Sequence, residues 1–145
     1  MTGAVDLSTL AIGSQLPSLE VGRISRAVLA LFAGASGDDN PIHIDLDAAR
    51  SAGLDDVFAH GMLSMAHLGR LLTAWVPQQR IRSFGVRFTA ITPVNARPRC
   101  EGHVVGIGDG IAELELRVVL PDGTVTLTGS ATIDIRVDHR PPSKE

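Results

Sequence analysis

Gly61-Met62-Leu63-Ser64-Met65-Ala66-His67-Leu68-Gly69-Arg70-Leu71-Leu72-Thr73-Ala74-Trp75 decides the fold. The run is apolar nearly all round, so as a helix it has no broad side to give to water and must be wrapped by other elements. Pro77 stops it, since proline lacks the amide proton that a further helical turn needs. Downstream the apolar period changes to two. Phe84, Val86 and Phe88 alternate with Ser83, Gly85 and Arg87 in a strand beginning at Arg82, and Arg99 to Gly106 predicts a second strand after the Pro93 to Pro98 turn region. Ile111 to Leu120 and Thr124 to Val137 complete the set, joined by the hairpin signal Pro121-Asp122-Gly123, whose glycine takes positive φ freely. A run of antiparallel strands beside one very apolar helix predicts an α+β fold, with the sheet wrapped around the helix. So small a sheet leaves strand edges open, and pairing through an edge into a dimer is the expectation.

Upstream of the helix the pattern is more broken. Leu7 to Ile24 is punctuated by Gly13, Pro17 and Gly22 and predicts an irregular lead-in with a short strand near Leu19 to Ile24. Ser25 reads as the N-cap of a helix over Arg26 to Ala35, where Val28, Leu29, Leu31, Phe32 and Ala35 recur at helical spacing and Gly34 and Gly37 mark the end. Asp45 or Asp47 can cap a short helix over Ala48 to Ala52 that closes at Gly53, followed by a surface loop from Leu54 to Phe58.

A chain of 145 residues holds one domain, taken as residues 1–137, with 138–145 as a polar tail. Aromatic content of 3% and a net charge of -3 exclude a base-stacking platform and a basic nucleic-acid face. The lone Cys100 cannot form an internal disulfide, and no apolar run reaches membrane-spanning length. With no basic leader before an apolar stretch, the expectation is a cytoplasmic protein that works without membrane or nucleic acid.

The densest polar stretch lies between the two main helices. Gly37-Asp38-Asp39-Asn40-Pro41 cannot continue a helix, and it leads into Ile42-His43-Ile44, read as extended. A turn at Asn40-Pro41 folds the ends together so that the Asp38 carboxylate and the His43 imidazole face one small volume. Such a pair can hold one water, one group taking its proton while the other orients it or returns a proton to substrate. The same residues also suit a plain structural turn. His60-Gly61 stands where the apolar helix begins, and amide protons left free there can stabilise an oxyanion. Gly61 either admits a carbonyl close to the backbone or simply starts the helix with a small residue. His60 is expected to fix the loop by hydrogen bonding rather than to transfer protons, and His67 to be a satisfied core residue.

The aspartates from Asp38 to Asp47 lack the glycine placement of a calcium loop, so neither a metal nor a cofactor is expected. Arg80, Arg82, Arg87, Arg97 and Arg99 cluster about the first long strand. They suit either a phosphate-bearing or acidic partner or a charge-protected sheet edge.

Phe32-Ala33-Gly34-Ala35-Ser36-Gly37-Asp38-Asp39-Asn40-Pro41-Ile42-His43, with Ala59-His60-Gly61-Met62-Leu63, resembles the hydratase-2 motif of the MaoC-like dehydratases. The resemblance continues through Val86-Arg87-Phe88-Thr89-Ala90 and Pro93-Val94 and covers roughly residues 10 to 137. It looks closest to the catalytic subunit type of fatty-acid-synthase-II (R)-3-hydroxyacyl-carrier-protein dehydratases. The resemblance implies a hot-dog fold and reversible hydration of trans-2-enoyl thioesters of coenzyme A or acyl-carrier protein. It implies Asp38 and His43 as the pair acting on water, Gly61 as the amide donor to the thioester carbonyl, and Asn40 as the residue that holds the loop. Asn40, Met62, Ser64 and Arg87 are the expected substrate-binding residues. A homodimer, or a heterodimer with a related hot-dog subunit, is the implied assembly. A thioester hydrolase on the same fold and a non-catalytic acyl-binding subunit are the alternatives.

Overall fold

The computed structural model describes residues 6–136. The polar tail and His139 lie outside the described residues. Five antiparallel strands form one sheet: β1 (Leu19–Glu20), β2 (Ile81–Phe88), β3 (Arg99–Gly108), β4 (Ile111–Val119) and β5 (Val125–Asp134). Their order is β1-β3-β4-β5-β2, which leaves the two-residue β1 and the eight-residue β2 as the edges. The expected α+β architecture is present, with β1 shorter and β3 longer than the sequence pattern suggested.

The helix decided by the opening stretch, α3 (Gly61–Trp75), has the expected bounds. Leu68, Leu71, Leu72 and Trp75 pack against the inward rows of the sheet, among them Ala112, Leu114, Leu116 and Val118 of β4 and Leu127, Ala131 and Ile133 of β5. Each of the buried leucines, valines and isoleucines among them contributes about 1.5–3 kcal/mol by leaving water. The sheet does not enclose the helix completely. Met62, Ala66, Arg70, Thr73 and Ala74 are exposed along one flank, because a five-stranded curl covers only part of a cylinder. His67 lies on that margin, half-buried and hydrogen-bonded to Arg70, rather than in the core. Burial first, and the Arg70 charge second, lower its pKa.

A second, smaller core sits under the other end of α3. Here α1 (Arg26–Ser36) contributes Leu29, α2 (Leu46–Ser51) contributes Ala49, and the loop before α3 contributes Val57 and Ala59, all packed with Ile24 and Leu63. Ser25 caps α1 as expected, its hydroxyl accepting from the Val28 amide. Gly34 is inside α1 rather than at its end. The helix stops at Gly37, whose φ of 77° is costly for residues with a Cβ. Asp45, not Asp47, caps α2 and shifts it upstream of the expected span. Residues 54–58 are less exposed than a surface loop: Val57 is buried, and Phe58 bridges Pro93.

Candidate active site

The segment between α1 and α2 is shaped by short side-chain-to-backbone bonds. Ser36 Oγ donates to the Phe32 carbonyl and accepts from the Asp38 amide, the Asp38 carboxylate accepts from the Asn40 amide at 3.4 Å, and Asn40 Oδ1 accepts from the Ile42 amide. Pro41 then starts a single 3-10 turn over Pro41–His43. The extended reading of residues 42–44 is therefore corrected. Asn40 acts as an N-cap and proline at the first helical position needs no amide proton, so the local chemistry favours a turn. That turn swings His43 inward, where it is buried, and leaves Asp38 at the surface.

His43 Nδ1 lies 2.8 Å from the Phe58 carbonyl oxygen. A carbonyl can only accept, so Nδ1 carries the proton and Nε2 of the neutral ring presents a lone pair. The His60 ring stacks on His43, with centroids 4.0 Å apart, while Phe32 meets His60 edge-on. His60 Nε2 donates to the main-chain oxygen of Asp38 at 3.0 Å, so His60 does fasten the loop. Asp38, His43 and His60 each place one potential ligand atom within 4.8 Å of the others. Sequence reading, which looked only for acidic runs, had no signal for this, because His60 enters from 22 residues beyond Asp38.

The start of α3 adjoins this cluster. His60 is its N-cap residue but makes no side-chain cap bond, and the Gly61 and Met62 amides donate to nothing among the described residues. A Cβ built on Gly61 would stand 2.8 Å from the Phe88 ring, so the glycine lets that exposed ring lie directly against the start of α3. Exposed apolar side chains border the area: Ile44 follows His43, Met62 follows Gly61, Phe88 lies against Gly61, and Ile91 precedes Thr92, whose carbonyl receives the Ala59 amide. Ser64 is one turn into α3, buried, with a hydroxyl that has no partner.

Arg87 is not brought to the cluster. It pairs in register with Thr128, which pairs in turn with Arg117, whereas Phe88, Leu127 and Val118 form the inward row. Strand alternation sends Arg87 to the opposite face, into a groove that it lines with Glu101, His103, Glu115 and Arg117. Arg82 and Arg99 are engaged in ion pairs with Asp134 and Glu20 respectively. Arg80 donates to the main-chain oxygens of Asp134 and Arg136.

A family model described as MaoC like domain matches residues 11–125. The chain belongs to the MaoC-like family. This MaoC-like chain is 29% identical over 137 residues to 3-hydroxyacyl-thioester dehydratase Z of Mycobacterium tuberculosis, covering 90% of this chain and 84% of that protein. It is likewise 29% identical over 129 residues to the (R)-specific enoyl-CoA hydratase of Aeromonas caviae, covering 81% and 96%. Among solved structures, the ChsH1-ChsH2 complex from Mycobacterium tuberculosis superposes with a TM-score of 0.77 at 22% identity, covering 87% of this chain and 98% of that one. The curled sheet around α3 is the hot-dog fold of these MaoC-like proteins. Among the described residues no helix is long and apolar enough to cross a membrane.

Proposed function

We propose that this chain hydrates trans-2-enoyl thioesters and, in reverse, dehydrates (R)-3-hydroxyacyl thioesters carried by coenzyme A or acyl-carrier protein. The observation that carries the reading is the juxtaposition of the Asp38 carboxylate with a His43 ring whose Nδ1–H is committed to the Phe58 carbonyl. The lone pair on His43 Nε2 is a base for water, and Asp38 orients that water and shares the proton traffic. As the water oxygen bonds to C3 the pair takes one proton from it, and the pair delivers one to C2, so no net proton is gained. The Gly61 amide donates a hydrogen bond to the thioester oxygen as charge develops there, from a helix end whose dipole favours it. Asn40 holds the loop in shape, and Met62, with the exposed apolar neighbours described above, suits a flexible acyl chain.

The names of the two relatives support this chemistry. Residues 1–137 act as one domain of a cytoplasmic enzyme of fatty-acid metabolism in this reading. The open edge of β2 supports pairing with a second copy or with a related hot-dog subunit. Purified protein with crotonyl-CoA and with the matching carrier-protein ester should remove the enoyl absorbance. Release of free thiol with the double bond intact would replace this reading with thioester hydrolysis, and inactivity on both carriers would leave an acyl-binding subunit.

A further inference from the structure

Among the described residues only two buried side-chain polar atoms have no hydrogen-bond partner, His60 Nδ1 and Ser64 Oγ. Leaving either alone in the interior is unfavourable, and native structures rarely tolerate it. The two are chemically complementary. His60 Nε2 must bear the proton, because it faces the Asp38 carbonyl oxygen, so Nδ1 of the neutral ring can only accept. Ser64 carries a hydroxyl that can donate. It has not taken the usual refuge of a buried helical serine, the carbonyl one turn back.

His60 is the N-cap residue of α3 and Ser64 is four positions on, so their backbones lie about one helical turn apart. Both are 1% exposed, so no substrate atom reaches the serine hydroxyl from solvent. We propose that Ser64 is a positioning residue: its hydroxyl donates to His60 Nδ1 through one buried water and supports the ring orientation in which Nε2–H holds Asp38. His60 also stacks on His43, so one oriented imidazole fixes the carbonyl beside one member of the proposed pair and the ring of the other. This assignment takes Ser64 out of the substrate-binding set expected from sequence.

The kinetic consequence rests on the proposed hydration, whereas the bond to His60 does not, and the experiment separates them. Long-range proton–nitrogen spectra of protein carrying nitrogen-15 histidine should show His60 in a single form, protonated at Nε2 only. Ser64→Ala should move the His60 Nδ1 nitrogen resonance, because that lone pair loses its donor, and lower kcat on crotonyl-CoA roughly five- to tenfold, the rate equivalent of about one hydrogen bond, with KM unchanged. Ser64→Thr, which keeps the hydroxyl, should restore both. An unchanged His60 pattern in Ser64→Ala overturns the proposal, as does a loss that appears in KM alone. A parent enzyme that is inactive on every enoyl thioester defeats the hydration reading, and the spectra then decide the serine's role unaided.

Discussion

The two ends of α3 are built on opposite terms. At the C-terminal end Leu68, Leu71, Leu72 and Trp75 are sealed against the sheet in a contact that is predominantly aliphatic, with Trp75 and Phe84 supplying the rings. At the N-terminal end Gly61 and Met62 face solvent, two amides are uncapped, and two buried polar atoms are unpartnered. Loose ends of that kind lower stability, and they cluster where chemistry is proposed. The first end anchors the helix so that the second can keep its donors and lone pairs unspent.

The largest effects should fall on the polar end. Asp38→Asn and His43→Ala should each lower kcat/KM on crotonyl-CoA about 10²- to 10⁴-fold per folded molecule; the exposed Asp38→Asn should keep a melting temperature near the parent value, whereas His43→Ala, which empties a buried and stacked position, should lower it. Full activity in either variant would remove that residue from the chemistry. Gly61 allows a sharper cut. Gly61→Ala adds a Cβ against the exposed Phe88 ring but keeps the amide, whereas Gly61→Pro adds the same Cβ with two further ring carbons and deletes the amide at a helical position that tolerates proline. Proline should be slower than alanine by about 10²- to 10³-fold in kcat if that amide is the oxyanion donor. Equal rates for the two variants would show that only the space matters.

The apolar end should respond the other way. Leu72→Ala, at a fully buried position, should cost about 2–5 kcal/mol in denaturant unfolding and leave kcat per folded molecule intact. A loss of kcat without a loss of stability would mean that the two ends are coupled through α3, which would break the comparison.

The sequence made the apolar end legible almost to the residue, since a fifteen-residue apolar helix and period-two strands are long signals that packing reinforces. At the polar end, the residue types of the site could be read but its geometry could not. Asp38 and His43 are close in sequence, yet whether they face one another depends on a 3-10 turn over Pro41–His43: Asn40 keeps the extended geometry favoured before proline and caps a turn where residues 42–44 read as extended. His60 reaches them through the tertiary fold, and no spacing rule links it to Asp38. Arg87 shows the converse case. Its strand was read correctly, but a cluster of arginines on a page does not say which face each occupies until the register is known.

The smallest effect tests a contact remote from both ends. Asp134 closes β5 with its carboxylate between Arg82 and Arg136, and hydrogen bonds from Arg136 first and Arg82 second hold its pKa well below the ordinary carboxylate range. A carboxylate depressed in the folded state adds stability above its unfolded pKa and loses it as pH falls through the folded value. Asp134→Asn should therefore be less stable than the parent at neutral pH, by a margin that begins to shrink below about pH 4, where the unfolded carboxylate takes up its proton. Melting curves of both proteins from pH 7 downward measure that margin. A gap that widened with acid would mean that the side chain stabilises β5 by something other than its charge.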